Sequence, residues 1–402
     1  MRAGYRYRIE PTEPQKELLA RTFGCARVVY NDAVRCREEA FRAGVKLTPT
    51  DVQRQVITQA KTREDRSWLS EVASVALVQS VRDANQAYSN FFASVKGRRA
   101  GRRICAPKFK SRKATRQTFR LTRNGFIVRP DGRLYVAKVG HLRVRWSRPL
   151  PATPSSVTII LEPDGHYYAS FVTEINRAPL PFTDREAGVD LGIAVLAAVA
   201  DTTGRHTTVP NPKHLDAKRR KLARLQRRNA RRVPGSTNRA KSRRAIAVQH
   251  GKVARCRRDF HHKQALHLIR ENQAIYVEDL NVGGMLRNHR LARATSDAGW
   301  AQFVRLLKEK AERHGRVVHK VSRWLPSSKT CSVCGHVMDE MPLKVRSWSC
   351  PVCRTKHDRD HNAARNILAA GRAERQNACG ASVSPPLREA VGNEPGSIQV
   401  TV

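Results

Sequence analysis

The spacing of apolar residues changes several times along this chain, and each spacing predicts a different kind of structure. Apolar and basic residues alternate over residues 5–9, which is typical of a strand. Thr12 with Gln15 three residues later forms a capping box, which predicts that a helix begins there. Apolar residues then recur at steps of three and four, as at Leu77, Val81, Ala84, Tyr88, Phe91 and Val95. Residues 12–95 are therefore predicted to form a helical domain.

Between residues 117 and 175 the apolar spacing changes to two, which predicts short strands. The Pro-Asp-Gly sequences within 129–132 and 162–165 predict hairpin turns between such strands. We expect a small antiparallel barrel or sheet in this region. The strand over residues 5–9 is expected to pair into it, which would make the β-domain discontinuous in sequence.

Farther along, predicted strands alternate with predicted helices, as in an α/β core. Residues 187–192 and 193–200 predict two strands of a meander. Residues 274–280 form an apolar run that ends in acids, which is typical of a buried parallel strand. A helix is expected to open at Ser296 and to run to about residue 314, and a strand is expected over 316–321.

The net charge of the chain indicates what kind of molecule it binds. The chain has 76 Lys and Arg against 34 Asp and Glu, a net charge of +42 and a pI near 11.1. Residues 96–120 contain eleven basic residues and no acid, and residues 213–263 contain nineteen basic residues and two acids. The alternative is that these residues simply form a solvated protein surface. However, so large an excess of positive charge repels itself unless a polyanion neutralises it. We therefore expect contacts with nucleic acid, with 213–263 as a helical hairpin that is broken at 233–236.

The same residues give an expectation for localisation. No apolar run approaches the roughly 18 residues of a membrane span, and the first residues resemble no signal peptide. We expect no membrane partner. Five cysteines are scattered singly through the chain, which fits a reducing compartment; they are Cys25, Cys36, Cys105, Cys256 and Cys379. The sequence therefore predicts a cytoplasmic protein that is bound to nucleic acid.

The other four cysteines form two Cys-x-x-Cys pairs. Cys331 and Cys334 are separated by fifteen residues from Cys350 and Cys353. This spacing offers four thiolates to one tetrahedral Zn²⁺, and four thiolates leave no open position for chemistry. We expect a structural zinc site; four unpaired cytosolic thiols are the alternative.

Three acids follow or interrupt the predicted core strands. Asp190 lies in the first strand of the meander, Glu278 ends the apolar strand, and Asp360 lies in the first turn of a helix that Asp358 is expected to cap. Asp279 competes with Glu278 for the second position. Hard Mg²⁺ ions prefer carboxylate oxygens, and phosphodiester hydrolysis commonly uses two of them. Asp190, Glu278 and Asp360 are thus the predicted catalytic Mg²⁺ ligands.

Two histidines flank the third acid. His357 and His361 could assist the reaction, but solvent-exposed side chains are the expectation for both.

These motifs, in order, closely resemble the TnpB (OrfB) proteins of small bacterial insertion sequences, which are relatives of the type V CRISPR effectors. The resemblance is carried by GVDLG at 188–192, YVEDL at 276–280, SDAGW at 296–300, PSSKTCSVCG at 326–335, and HDRDHNAARNIL at 357–368. It extends over nearly the whole chain.

The resemblance implies an RNA-guided, Mg²⁺-dependent DNA endonuclease of a transposable element. A guide RNA derived from the transposon end would pair with double-stranded target DNA beside an adjacent motif. Asp190, Glu278 and Asp360 would be the RuvC-type Mg²⁺ ligands, and Cys331, Cys334, Cys350 and Cys353 would bind Zn²⁺. A protein-only transposase and a binding regulator that does not cut are the alternatives, and the oligomeric state stays open.

The implied fold is a multi-domain α+β protein. Its expected parts are a first strand of the wedge domain (1–11), a helical recognition lobe (12–114), an antiparallel β-barrel or wedge domain (115–180), an RNase H-like, RuvC-type core (181–325) that includes the basic hairpin, a zinc-ribbon-like insert (326–355), the third core motif (356–371), and a disordered tail (372–402). Disorder is expected for the tail because it has little periodicity.

Overall fold

The computed structural model describes residues 1–342 and 344–380, and it divides into two compact units. The first unit combines Met1–Arg177 with Ala217–Cys256, and the second combines Ala178–Asp216 with the chain from Arg257 onward. In the described part of the chain, no helix is both long enough and apolar enough to cross a membrane.

The helical part of the first unit contains the helices that the apolar spacing predicts. They are α1 (Glu13–Arg42), α2 (Pro49–Gln53) and α3 (Ser74–Val95), with a π-helical turn at Arg54–Gln59 and 3-10 turns at Ala60–Thr62 and Glu64–Glu71. The predicted capping box is confirmed, because the backbone N–H of Thr12 donates to Gln15 Oε1 at 3.0 Å. Leu69, Leu77 and Val81 are buried in the core that these helices share.

An antiparallel sheet of seven strands forms a second core in this unit, to which Leu19 and Phe23 of α1 contribute. The strands are β1 (Arg2–Glu10), β2 (Gln117–Thr122), β3 (Phe126–Val128), β4 (Leu134–Val136), β5 (Gly140–Arg145), β6 (Ser156–Leu161) and β7 (Tyr167–Glu174). Their order is β2-β6-β7-β1-β5-β4-β3. β1 pairs with both β7 and β5, which confirms that the first strand belongs to this domain. The sheet has β2 and β3 at its edges, and it is open rather than a closed barrel.

The basic region forms two helices, as its sequence predicts. They are α4 (Arg219–Ala230) and α5 (Thr237–Glu271), and the break between them spans the predicted 233–236 turn. Residues 217–256 group with the first unit rather than with the core domain to which the sequence assigns them. One reason is an ion pair between α5 and the sheet of the first unit. Arg255 Nη1 donates to the buried carboxylate of Asp164, in the hairpin turn between β6 and β7, at 2.7 Å.

The second unit is built on a mixed sheet of five strands. They are β8 (Glu186–Leu191), β9 (Val195–Asp201), β10 (His206–Pro210), β11 (Ala274–Glu278) and β12 (Val317–Val321), in the order β10-β9-β8-β11-β12. The first three are antiparallel, while β11 is parallel to β8 and to β12. The meander and the buried parallel strand are thus confirmed. A short hairpin, β13 (Ser347–Ser349) and β14 (Lys356–Asp358), follows.

Helices cover the faces of this sheet. They are α6 (Val282–Arg287), α7 (Ala292–Ala298), α8 (Trp300–His314) and α9 (Arg359–Gly380). The prediction of one helix from Ser296 to residue 314 is wrong, because Gly299 adopts φ +65° between α7 and α8. Phe303 and Leu307 of α8 are buried against one side of the sheet with Val189 of β8.

The predicted disorder from Arg372 onward is wrong for residues 372–380, which continue α9. Arg372 and Arg375 both form ion pairs with the carboxylate of Glu186, and Glu374 forms an ion pair with His319. These contacts with residues far away in sequence hold the last turns of α9 in place, and the apolar spacing along the chain does not reveal them. The remainder of the predicted tail, residues 381–402, lies outside the described residues.

The other side of the sheet is covered by α9, which approaches the strands closely at two glycines. A Cβ on Gly188 of β8 would overlap the carbonyl oxygen of Ala364 and would lie 2.5 Å from the backbone nitrogen of Leu368. A Cβ on Gly371 of α9 would overlap the ring of Tyr276 in β11. Gly188 is therefore needed for helix-to-strand packing.

We expect Gly188→Ala to destabilise the protein by roughly 1–3 kcal/mol, because the new methyl group must push α9 away from β8. The melting temperature measures this. Gly4→Ala in β1 is the matched control, since no heavy atom outside its chain neighbours lies within 4 Å of its would-be Cβ. Equal melting temperatures for the two variants would contradict the close approach.

Candidate active site

Asp190 and Glu278 lie beside each other at the carboxyl ends of two parallel strands. The register of β8 and β11 pairs Gly188 with Tyr276, and then Val189 with Val277. Side chains alternate between the two faces of a strand, so Asp190 shares the face of Gly188, and Glu278 shares the face of Tyr276. That is the face that α9 covers.

Asp360 reaches the same place from α9. It lies in the first turn of the helix, about one turn before Ala364, whose carbonyl oxygen faces Gly188. Asp358 Oδ1 accepts the backbone N–H of His361 at 2.9 Å, which confirms that Asp358 caps α9. Arg346 Nη1 lies 3.4 Å from Asp360 Oδ1. The structure therefore brings the three predicted acids into one neighbourhood.

The pKa of Asp190 reports this crowding. Burial is the largest cause of a rise in its pKa, the negative charges of Asp360 and Glu278 add to it, and Arg359 and Arg346 act in the opposite direction. Together these effects raise the pKa to about 7. Burial also raises the pKa of Glu278, and the charge of Asp279 adds to that effect. Half-buried like charges, which here raise the pKa of Asp190, favour a cation between them.

Asp279, the second acid of YVEDL, pairs with two basic side chains, which favours Glu278 as the acid beside Asp190. The carboxylate of Asp279 accepts from Lys320 Nζ at 2.5 Å and from Arg323. Hydrogen bonds from Lys320 and then Arg323 lower the pKa of Asp279 below its usual value.

Asp297, in the SDAGW motif, also has a structural use. Its two carboxylate oxygens accept the backbone N–H groups of Leu215 and Asp216, at 2.8 and 3.1 Å. Asp297 is buried, and its motif gave no sign of this role.

The four cysteines come together as their spacing predicts. Among the described residues they are the one group of three or more candidate metal ligands whose ligand atoms all lie within 4.8 Å of one another. The Sγ atoms of Cys331 and Cys353 are 3.6 Å apart, as are those of Cys334 and Cys350. Four sulfurs at this separation fit a tetrahedral Zn²⁺. The carboxylates of Asp190, Glu278 and Asp360 do not form such a group of ligand atoms within 4.8 Å of one another.

The prediction that His357 is solvent-exposed is wrong. It is 4 % exposed, its ring packs against Trp348, and its Nε2 lies 3.1 Å from Cys331 Sγ. His361 is half-buried, and its Nε2 lies 3.2 Å from Thr208 Oγ1. His357 therefore belongs to the surroundings of the cysteine cluster.

Two asparagines that the sequence analysis missed fasten the cysteine segment to α9. The side-chain amide of Asn362 donates to the carbonyl oxygen of Thr330 at 2.7 Å, and its Oδ1 accepts the backbone N–H of Ser332 at 3.0 Å. The amide of Asn366 donates to the carbonyl oxygens of Ser327 and Thr330, both at 2.7 Å. Asparagine is unfavourable inside a helix unless its side chain finds hydrogen-bond partners. The presence of two asparagines four residues apart in α9 was therefore the feature of the sequence that could have indicated these contacts.

A cavity of about 540 Å³ opens beside Glu278. Trp300 lies in its wall, and its charged lining is mixed: the basic side chains are Arg305, Lys308, Lys320 and Arg323, and the acidic ones are Glu278, Glu309 and Glu312. The cavity is thus a concave surface next to Glu278 that carries charges of both signs.

Three family models match this chain. One described as "Probable transposase" matches residues 170–289, one described as "Cas12f1-like, TNB domain" matches 300–367, and one described as "Helix-turn-helix domain" matches 1–46. Residues 1–46 of this chain contain one strand and one long helix, β1 and α1, rather than two helices joined by a turn.

Curated relatives match over almost the full length. A "Putative RNA-guided DNA endonuclease" of Streptomyces pristinaespiralis is 41 % identical over 388 residues, which cover 96 % of this chain and 92 % of the relative. The "Putative RNA-guided DNA endonuclease InsQ" of Escherichia coli K12 is 31 % identical over 403 residues, which cover 96 % of each. These matches are enough to establish a family.

A solved structure with a similar fold is described as "Cryo-EM structure of the Cas12f1-sgRNA-target DNA complex". Its TM-score is 0.57 at 15 % identity, with coverage of 89 % of this chain and 83 % of that chain. At this identity the similarity concerns the fold.

Proposed function

Since this chain belongs to the TnpB (OrfB) family of transposon-associated proteins, we propose that it is an RNA-guided DNA endonuclease that hydrolyses phosphodiester bonds at Asp190, Glu278 and Asp360. The observation that carries the proposal is the placement of the three acids: Asp190 and Glu278 lie at the carboxyl ends of the paired strands β8 and β11, and Asp360 lies in the first turn of α9, which packs on the same face. The raised pKa of Asp190 supports this placement. We infer that the second unit is an RNase H-like core of the RuvC type, because its three antiparallel strands continue into two parallel ones.

The carboxylates fit a pair of Mg²⁺ ions, which bind oxygen ligands. When bound, such a pair steadies the attacking and leaving oxygens of an in-line displacement. Asp190 is held in the middle of the group by β8, Glu278 beside it by β11, and Asp360 opposite them by α9. Their negative charges would hold the cations, and the cavity beside Glu278 would receive the strand to be cut, with Arg305 and Lys308 as its phosphate contacts.

The four cysteines fit a structural Zn²⁺, with Cys331, Cys334, Cys350 and Cys353 as its ligands. Their segment is fastened to α9 through Asn362, two residues after Asp360. The zinc site therefore supports the position of Asp360 rather than taking part in the reaction.

Nucleic-acid contacts are proposed for the basic regions. α4 and the first part of α5 carry most of the nineteen basic residues of 213–263, and residues 96–120 add eleven more. Such surfaces bind phosphates regardless of sequence, so base pairing with an RNA guide would supply the choice of target. We propose a guide from the transposon end, and residues 12–114 as the lobe that helps to hold the guide and the target.

Purified protein tests this function. We expect RNA of discrete length to co-purify, and plasmid cleavage in Mg²⁺ to stop after RNase treatment. Cleavage that persists after RNase treatment would favour the protein-only transposase. A protein that binds RNA and DNA but cuts no better than its Asp190→Ala variant would be the non-cutting regulator.

The choice between neighbouring acids can be tested directly. Glu278→Gln should lose Mg²⁺-dependent cleavage and the rise in melting temperature that Mg²⁺ produces, because a ligand is removed. Asp279→Asn should retain that rise, since its carboxylate pairs with Lys320 and Arg323. Thermal melts with and without Mg²⁺ measure the difference, and the reverse pattern would assign the site to Asp279.

A further inference from the structure

Trp324 is an unusually exposed aromatic residue. Of the five tryptophans, all of which lie in the described part of the chain, it is the one whose side chain faces solvent, at 85 % exposure. Trp300 and Trp348 are buried, and Trp68 and Trp146 are half-buried. A tryptophan is a large apolar side chain that folding normally covers, so one left in water indicates a use for the ring.

The ring lies at the same edge of the sheet as the carboxylates. The register of β11 and β12 pairs Glu278 with Val321, and Trp324 follows three residues later. Because β8, β11 and β12 are parallel, their carboxyl ends meet at one edge. Trp324 thus follows the strand end that pairs with Glu278, at the sheet edge that carries the proposed catalytic site.

The backbone on both sides of Trp324 is held in place. Arg323 is paired with Asp279, and Leu325 packs against the core formed by Tyr276 and Val321. The N–H of Trp324 donates to Ser322 Oγ at 3.3 Å, and the N–H of Leu325 donates to the carbonyl oxygen of Ser322 at 3.2 Å. These contacts order the segment while leaving the indole uncovered. The backbone that carries the exposed ring is therefore ordered before any ligand binds.

The surroundings identify the kind of ligand. The cations nearest to the ring in sequence are Lys320 and Arg323, which share the single carboxylate of Asp279 and therefore leave a net positive charge on this segment. The adjacent cavity adds Arg305 and Lys308, together with Glu309 and Glu312. An isolated ring among cations suits a base with its phosphate. A protein partner would instead require a contiguous apolar patch.

We propose that Trp324 is a stacking platform for an unpaired base of the DNA strand that enters the active site. The inference rests on the proposed nuclease function and adds a positioning residue to it. By stacking one base, the indole would fix the path of the strand so that a phosphate lies beside Glu278 and Asp190.

Binding of fluorescein-labelled oligothymidylate to the full-length protein, without added Mg²⁺, tests this inference. Trp324→Ala should bind at least about 5-fold more weakly, because the loss of one stacked base is expected to have that effect, whereas Trp324→Phe should stay within about 2-fold of the parent. The parent's tryptophan emission should fall when DNA binds, and Trp324→Phe should lose most of that decrease.

Phe182→Ala is the matched control. Phe182 is 81 % exposed, but it precedes β8 and therefore lies at the opposite, amino-terminal edge of the parallel strands. Its removal should leave binding unchanged. The proposal is overturned if Trp324→Ala binds like the parent, if Phe182→Ala weakens binding equally, or if the emission decrease persists in Trp324→Phe.

The assay is independent of cleavage. If Asp190→Ala cuts DNA like the parent while Trp324→Ala loses binding, the proposed nuclease site fails and the stacking residue stands. If Asp190→Ala is inactive and Trp324→Ala binds normally, the stacking residue alone is wrong.

Discussion

Replacing Asp190 with asparagine is expected to abolish Mg²⁺-dependent DNA cleavage and, at the same time, to raise the melting temperature of the metal-free protein by a few degrees. Asp190 is half-buried, and the loss of solvent around it, together with the charges of Asp360 and Glu278, raises its pKa to about 7. Asparagine keeps the shape of the side chain and removes the repulsion. The variant therefore binds Mg²⁺ more weakly but folds more stably, and such a trade-off between function and stability is common at active sites.

The cleavage rate should fall by at least about 100-fold, because even residues that only support a metal ligand commonly cost 10–100-fold when they are removed. Plasmid cleavage measures the rate, and thermal melts without and with Mg²⁺ measure stability. The parent should gain stability from Mg²⁺, and the variant should gain little.

Asp201→Asn is the matched control for this experiment, with the same substitution in the neighbouring strand. Burial acts to raise the pKa of Asp201, but hydrogen bonds from Thr203 and then Arg185 outweigh it and hold that pKa below its usual value. This carboxylate stabilises the fold when ionised, so its loss should lower the melting temperature and preserve the response to Mg²⁺. Cleavage by Asp190→Asn at the parent's rate would exclude Asp190 from the active site.

Cys350→Ser is expected to have the largest effect on stability. Cys350 is buried in the cluster with Cys331, Cys334 and Cys353. Binding of a structural Zn²⁺ is worth roughly 10–16 kcal/mol in zinc-finger peptides, so the loss of one thiolate should lower zinc content and melting temperature together. Metal analysis of the purified protein and a thermal melt measure the two quantities.

Cleavage should be lost as well, for a reason that lies outside the cluster. Asn362 holds the carbonyl of Thr330 and the N–H of Ser332, so a disordered cysteine segment releases the first turn of α9, which carries Asp360. Cys256→Ser is the control, because Cys256 is an exposed cysteine outside the cluster. Zinc content that is unchanged in Cys350→Ser, or equally reduced in Cys256→Ser, would contradict the site.

Much of the fold followed from local pattern. Period-two spacing located the strands of the first unit, and an apolar run that ends in acid located β11 as a buried parallel strand. The candidate acids were recognisable because each stands at the end of a strand or the start of a helix. The four cysteines were recognisable because their spacing is itself the signal.

Other features depended on partners far away in sequence. The last turns of α9 are ordered by Glu186, nearly two hundred residues upstream, so local composition wrongly suggested disorder. His357 is buried because Trp348 and Cys331 surround it, although its neighbours in sequence are charged. Gly299 interrupts a helix whose apolar spacing continues on both sides.

The amino-acid sequence by itself determined which residues could bind metal ions, that the chain would meet a polyanion, and which strands would be buried. These properties depend on side-chain type and on spacing along the chain. Only the tertiary structure decided that Asp279 pairs with Lys320 and Arg323 while Glu278 stays beside Asp190, and that Trp324 stays in water at the same edge. Both outcomes depend on strand register and on the packing of α9 over Gly188, which arise from contacts between distant segments.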